Sequence, residues 1–146
     1  MQHTTFFAGS FDPFTIGHRD IVERALTMFG RVVIGVGYNI KKQGHRPVEE
    51  RVEAIRRVFE DDDRIVVTSY SGLTAEAARA AGAHSLLRGV RDIRDFEFER
   101  TMADVNRRLF GIDTVLLVAD PTLSSVSSSM VRELEANGCD VSRFLP

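Results

Sequence analysis

The decapeptide Gly9-Ser10-Phe11-Asp12-Pro13-Phe14-Thr15-Ile16-Gly17-His18 constrains this chain more than any other part of it. An apolar run, Thr4 to Ala8, precedes it, and an amphipathic run, Ile21 to Phe29, follows. The pattern predicts a strand that ends in a glycine-opened turn and feeds a helix beginning near His18. Such a turn builds an anion site. Gly9 is expected to let the backbone come close to a ligand. The first helical turn offers free N–H groups and a positive dipole end, and His18 stands there, where an imidazole reaches an anion. Thr15-Ile16-Gly17-His18 forms a T-x-G-H pattern in a setting that suits nucleotide phosphates.

The rest of the chain repeats the alternation. Strands are expected over Thr4–Ala8, Arg31–Gly37, Arg64–Tyr70, His84–Arg88 and Thr114–Ala119. Helices are expected over His18–Phe29, with Gly30 as its stop, and over Pro47–Glu60, Leu73–Ala81, Asp92–Phe110 and Ser128–Ala136. The longest helix carries Phe98, Met102, Val105 and Leu109 as its apolar stripe. Asp61-Asp62-Asp63 reads as a solvated turn. Strand-helix alternation throughout predicts an α/β fold, a five-stranded parallel sheet with helices on both faces and right-handed crossovers. No linker or repeat divides residues 1–146, so a single domain is expected, and 43% hydrophobic residues suffice for its core.

Charge and cysteine content narrow the function. The net charge of −2 gives no bulk attraction to nucleic acid or membrane. The first apolar run is too short for a signal peptide and no run has the length of a membrane span. Cys139 is the only cysteine, so no internal disulfide exists and a reducing, cytoplasmic setting is expected. Lys41 and Lys42 are the only lysines, against seventeen arginines.

In parallel sheets ligands bind beyond the carboxyl ends of the strands, and every unusual polar cluster is expected there. Lys41-Lys42 follow the second strand and read either as a solvated loop tip or as mobile charges for a phosphate. Ser71 to Thr74 follow the third strand. Arg88-Gly89-Val90-Arg91 follow the fourth, with two guanidinium forks around a glycine, either as surface groups or as a phosphate clamp. Asp95, Glu97 and Glu99 are expected to form helical ion pairs with Arg94 and Arg100. Ser124-Ser125-Val126-Ser127-Ser128-Ser129 opens the last helix as a hydroxyl and amide nest, the alternative being a flexible loop. The chain lacks a G-x-x-x-x-G-K-[ST] loop, a complete dinucleotide fingerprint, an H-E-x-x-H pair and a G-x-S-x-G elbow.

G-S-F-D-P-F-T-I-G-H, K-K, R-G-V-R, D-F-E-F-E and S-S-V-S-S-S, in this order and spacing, resemble the bacterial phosphopantetheine adenylyltransferases over nearly the whole chain. The resemblance implies a Rossmann-like nucleotidyltransferase fold. It implies that ATP and 4′-phosphopantetheine give dephospho-coenzyme A and pyrophosphate, with Mg²⁺ as cofactor. The sequence shows no dedicated metal site, so Mg²⁺ is expected to arrive on the ATP. By motif position, His18 would stabilise the transition state, and Lys42, Arg88 and Arg91 supply the charge neutralisation that the transfer requires. Ser10 would touch both substrates and Phe11 would line the ATP site. Lys42, Thr74 and Arg88 would hold phosphopantetheine. Gly89, Val90, Arg91, Glu99 and the segment Leu123, Ser124, Ser125, Val126, Ser127, Ser128, Ser129 would contact ATP. The family is similar in forming homohexamers. Ser10 stands where threonine is usual and keeps the hydroxyl, while Leu123 stands where an aromatic is common.

The implied chemistry fits the residues. An acceptor phosphate is already an anion, so direct in-line attack needs no catalytic base and no covalent intermediate, only alignment and charge neutralisation. The alternatives are a transferase for another phosphate acceptor and a non-catalytic nucleotide sensor using the same cleft.

Overall fold

The computed structural model describes residues 2–146. Strands β1 (Thr4–Gly9), β2 (Arg31–Gly37), β3 (Ile65–Tyr70), β4 (Ser85–Val90) and β5 (Asp113–Val118) alternate with helices α1 (Ile16–Ala25), α2 (Val48–Val58), α3 (Thr74–Ala80), α4 (Ile93–Phe110) and α5 (Ser128–Ala136). A short 3-10 turn, Ser142–Phe144, follows α5. All four strand pairings are parallel, in the order β3-β2-β1-β4-β5. The winding reverses between β1 and β4, so a crevice opens above the carboxyl ends of these two neighbours.

The period-two alternation of β1 divides the core. Phe7 joins Val32, Ile34, Val36 and Leu87 beneath Ile21, Val22 and Ala25 of α1 and Val52 and Ile55 of α2. Phe6 and Ala8 face the other way, with Val33, Leu86 and Ile112, beneath Ala75 and Ala78 of α3. The Phe6 ring lies across β2 at Gly35, where an added Cβ would sit 2.1 Å from it. Only glycine leaves room for that ring.

Element ends differ from the expected ones for local reasons. Helix α1 starts at Ile16 rather than His18, because the Thr15 side chain caps it and His18 is the third helical residue. It ends at Ala25 instead of running to Phe29, since Gly30 and Arg31 turn back to donate to the His3 carbonyl. Strand β4 runs to Val90, two residues beyond the expected end, because Arg88, Gly89 and Val90 pair with Leu116, Leu117 and Val118 of β5. Arg88 and Gly89 therefore belong to the strand and do not follow it.

The stripe of α4 departs further. Phe98 is 62% exposed and Leu109 71%, and Met102 and Val105 are exposed as well. Ile93 and Phe96 extend this apolar surface. A stripe patterned for a core lies uncovered within one chain.

Candidate active site

The site grows from the turn after β1. The ring of Phe11, whose backbone takes the left-handed φ of 48°, folds back over Gly9, where an added Cβ would lie 2.9 Å from it. Gly9 is thus small chiefly to admit Phe11, although it also lines the cleft. Phe11 meets the His18 ring edge-on at 5.0 Å, and Phe14 stacks on it at 5.3 Å. The imidazole is held on two sides by aromatic walls.

Its protonation follows from the helix cap. The Thr15 backbone N–H donates to Nδ1 of His18 at 2.9 Å, so Nδ1 carries a lone pair and the neutral ring bears its proton on Nε2. Burial, then the charges of Arg88 and Arg91, push the pKa of His18 down from 6.5 to about 3. His18 is a neutral donor at physiological pH, and it lines the main cleft.

That cleft is a cavity of about 310 Å³. Ser10 and Phe11 line it from the β1 turn, His18 from α1, Arg88, Gly89 and Arg91 from the β4 end, and Ser127 to Ser129 from α5. The first turns of α1 and α5 come together here, the Val126 carbonyl lying 3.8 Å from the Cβ position of Gly17. Two positive helix ends thus share one rim.

A second cavity, also about 310 Å³, lies alongside. Its walls include Leu73 and Thr74, Leu86, and Phe98, Met102 and Asn106 of α4. Ala8, Arg88 and Glu99 line both cavities, and the Arg88–Glu99 pair stands at their junction. Arg88 Nε donates to both Glu99 oxygens at 3.0 and 2.8 Å, Nη2 donates to Oε1 at 2.8 Å, and Nη1 donates to the Ala8 carbonyl. Glu99 is 5% exposed.

One turn earlier on α4, Asp95 receives the Arg91 backbone N–H and Nε, both at 3.0 Å. Partial burial works to raise the Asp95 pKa, but these hydrogen bonds and the Arg91 charge hold it below the usual carboxylate range. Asp95 and Glu99 therefore pair with Arg91 and Arg88, at and just past the end of β4, and not, as expected, with Arg94 and Arg100. Their spacing of one helical turn matches the two guanidinium groups.

Other expected residues fall less simply. Leu123 and Val126 line the main cleft, but Ser124 and Ser125 do not, and neither does Val90, which is buried. Three of the serine hydroxyls are engaged within the protein: Ser124 donates to the Pro121 carbonyl, Ser127 caps α5 and Ser128 reaches across to donate to the Pro13 carbonyl at 2.7 Å. What this segment turns toward a ligand is chiefly backbone N–H at the start of α5. Thr74 is bonded to Tyr70 at 2.8 Å. Lys41 and Lys42 are exposed on the β2–α2 loop and line neither cavity.

A family model described as cytidylyltransferase-like matches residues 6–134. The phosphopantetheine adenylyltransferase of Phocaeicola vulgatus is 52% identical over 140 residues, covering 96% of this chain and 93% of the relative. That of Porphyromonas gingivalis is 52% identical over 145 residues, covering 99% and 95%. The chain belongs to the phosphopantetheine adenylyltransferase family. A solved bifunctional NMN adenylyltransferase/ADP ribose pyrophosphatase from Francisella tularensis superposes with a TM-score of 0.74 at 17% identity, covering 99% of this chain and 45% of that one. That likeness speaks for the fold, a nucleotidyltransferase sheet of Rossmann type.

Three residues that line or brace the site of this adenylyltransferase family member carry no mark in the sequence pattern. Arg132 lines the cleft from α5 and donates to the Asp12 carbonyl at 2.7 Å. Its signal is position, one turn past Ser128 on a helix whose start lines the cleft. Asp12, next to Pro13 in the β1 turn, is buried and accepts the backbone N–H groups of His45 at 2.8 Å and Arg46 at 3.2 Å. Arg51 is buried within an amphipathic helix, where nothing in the sequence distinguishes it from its exposed arginine neighbours.

Proposed function

We propose that the main cleft binds ATP, that the adjoining cavity takes the pantetheine arm, and that the acceptor phosphate attacks the α-phosphorus of ATP between them. The enzyme is a pantetheine-phosphate adenylyltransferase, giving dephospho-coenzyme A and pyrophosphate in coenzyme A synthesis. The observation that carries this reading is the junction itself. Two cavities of equal size meet at Arg88, one polar-rimmed by two helix N-termini, the other walled by Leu73, Leu86, Phe98 and Met102. An anionic nucleotide suits the first and a long, weakly polar arm the second. A guanidinium at the meeting point suits the phosphate that joins them.

The reaction forms one bond, from the acceptor phosphate oxygen to the α-phosphorus, and breaks the bond from that phosphorus to the bridging oxygen of the departing pyrophosphate. No proton moves in the step. The chain's task is to align the two phosphates in line and stabilise charge in the transition state. The His18 Nε2–H is the fitting donor for a non-bridging oxygen of the α-phosphate, because a ring with a pKa near 3 cannot exchange its role between donor and acid at neutral pH. Arg91 and the N-termini of α1 and α5 answer the charge of the leaving pyrophosphate. Arg88, fixed by Glu99, answers the acceptor. Lys42 approaches the acceptor phosphate from its loop when substrate is bound.

Mg²⁺ enters as part of the Mg-ATP substrate. Among the described residues no three His, Cys, Asp or Glu side chains cluster to hold a metal, and Asp95 and Glu99 are engaged by arginines. An ion carried on substrate phosphates with its waters fits such a site. The uncovered stripe of α4 favours association with further copies of the chain, with six as the number that the family resemblance supplies. No helix among the described residues is long and apolar enough to cross a membrane, and the cytoplasm is the proposed compartment.

The test is pyrophosphate release from Mg-ATP with 4′-phosphopantetheine, with nicotinate mononucleotide as control acceptor. Release with the first alone is expected. Release with the control alone would reassign the acceptor, and silence with both in protein that binds ATP would favour a sensor.

A further inference from the structure

Arg51 lies on α2, outside both cavities and among residues that reach no ligand. Its side chain is nevertheless bound to the site. The residue is 6% exposed, and its fork donates to three backbone carbonyls from three segments. Nη1 reaches Ser10 O at 2.7 Å and Gly37 O at 3.2 Å, and Nε reaches Arg46 O at 3.0 Å. Gly37 ends β2, and Arg46 lies at the far end of the loop that begins there. One guanidinium therefore closes the base of the loop carrying Lys41 and Lys42, and ties that base to Ser10 at the cleft.

The same base is gripped from the other side. The Asp12 carboxylate accepts the N–H groups of His45 and Arg46, so Arg46 is held through both its carbonyl and its amide. Between the two charges sits Gly44, where an added Cβ would lie 2.7 Å from Asp12 Oδ2 and 3.3 Å from Arg51 Nη2. No carboxylate forms an ion pair with Arg51 among the described residues. A charge buried without an ion partner, bonded only to backbone, holds geometry that simpler packing would not.

We propose that Arg51 is a positioning residue for the acceptor phosphate: it sets Ser10 and the base of the Lys41–Lys42 loop in one fixed arrangement, so that Lys42 swings from a defined platform. The inference rests on the adenylyl-transfer reading. Arginine is required because its planar fork presents donors along two edges, whereas a lysine ammonium places its three donors at one point. Acceptor binding depends on the platform. On the ATP side, His18 and Arg91 take their bonds from Thr15 and Asp95 and not from the platform, and α5 meets it through Glu135, near the helix end remote from the cleft, and through Arg132 at Asp12.

The experiment compares the full-length wild-type, Arg51→Lys and Gly44→Ala proteins. Arg51→Lys keeps the charge and loses the fork. Gly44→Ala keeps both and pushes Asp12 and Arg51 apart, so a folding failure of one variant leaves the other to decide. Steady-state constants for both substrates are measured well below each protein's Tm, with ATP binding by calorimetry. We expect kcat/KM for phosphopantetheine to fall roughly 10–10²-fold in both variants, with ATP affinity within about threefold of wild type. In a Lys42→Ala background the Arg51→Lys effect should largely vanish, since residues acting as a unit are not additive. Lower Tm with unchanged constants would reduce Arg51 to a fold-stabilising group and overturn the proposal. Equal loss for both substrates would overturn it as well. An inactive wild type would take the adenylyl-transfer reading down together with this one, whereas an active wild type with unaltered variants would sink this one alone.

Discussion

The Thr15 backbone N–H donates to Nδ1 of His18 at 2.9 Å, which leaves the histidine proton on Nε2 of a ring that lines the cleft. An ordinary helix-capping device thereby fixes the tautomer of the group proposed to stabilise the transition state. Replacing His18 by alanine removes a donor that matters when charge develops on the α-phosphate. Turnover should fall roughly 10²–10³-fold, the cost of losing one such donor. ATP affinity should stay near wild type, since the helix N-termini and arginines remain. Single-turnover kinetics with calorimetric ATP titration would measure both, and near-normal turnover would remove His18 from the mechanism.

The same residue makes stability depend on pH. The His18 pKa lies near 3 in the folded chain against 6.5 when exposed. Between those values the unfolded chain binds the extra proton, so stability is fully present above pH 6.5 and is lost as pH falls toward 3. The loss attributable to His18 between pH 7 and pH 5 is about 1–2 kcal/mol. Urea denaturation across this range should show a steeper decline for wild type than for His18→Gln. Parallel declines would mean that the ring is hydrated in the folded protein. Any acid limb of kcat near pH 6 belongs instead to the acceptor phosphate, whose second ionisation lies there, and it should persist in His18→Gln.

The Arg88–Glu99 pair makes a different prediction. Glu99 is buried, and its carboxylate receives three N–H···O contacts from Arg88. Glu99→Gln keeps the shape but removes the charge, leaving the guanidinium at the cavity junction without its counter-ion. Stability should drop by about 1.5–3 kcal/mol, the range for hydrogen bonds to charged groups. Because the freed Arg88 no longer stands between the cavities, KM should rise more for phosphopantetheine than for ATP. A chemical denaturation curve and initial-rate measurements would test each half, and an unchanged denaturation midpoint would show that water replaces the carboxylate.

What could be read from sequence was what depends on local pattern. The T-x-G-H turn, the strand-helix alternation and the last helix, Ser128–Ala136, all follow from periodicity and capping chemistry acting within a few residues. The end of β4 was harder, because Gly89 and Val90 look like a turn until β5 supplies backbone partners for them. Arg51 was out of reach for the same reason: its partners, Ser10 O and Gly37 O, are distant in sequence and are carbonyls, which leave no mark on composition. The roles of Gly9 and the serines shifted because hydrogen bonds and ring contacts fill space in ways that letters do not record.

The stripe on α4 is the last case, because there the helix forms as expected but nothing within the chain covers its apolar residues. Leu109 is 71% exposed and Phe98 62%, although the helix repeats apolar residues at core spacing. An apolar surface of this kind on a well-formed helix marks an interface, and a second copy of the chain is the proposed occupant. Leu109→Glu places a charge in that surface without touching the main cleft, which Leu109 does not line. Sedimentation equilibrium should show wild type as a multimer, with six as the expected number, and Leu109→Glu as smaller species at the same concentration. Circular dichroism should show helix content preserved, because the side chain already meets solvent in the single chain. A monomeric wild type would leave the stripe without its proposed partner, and an intact multimer in the variant would place the interface elsewhere on the molecule.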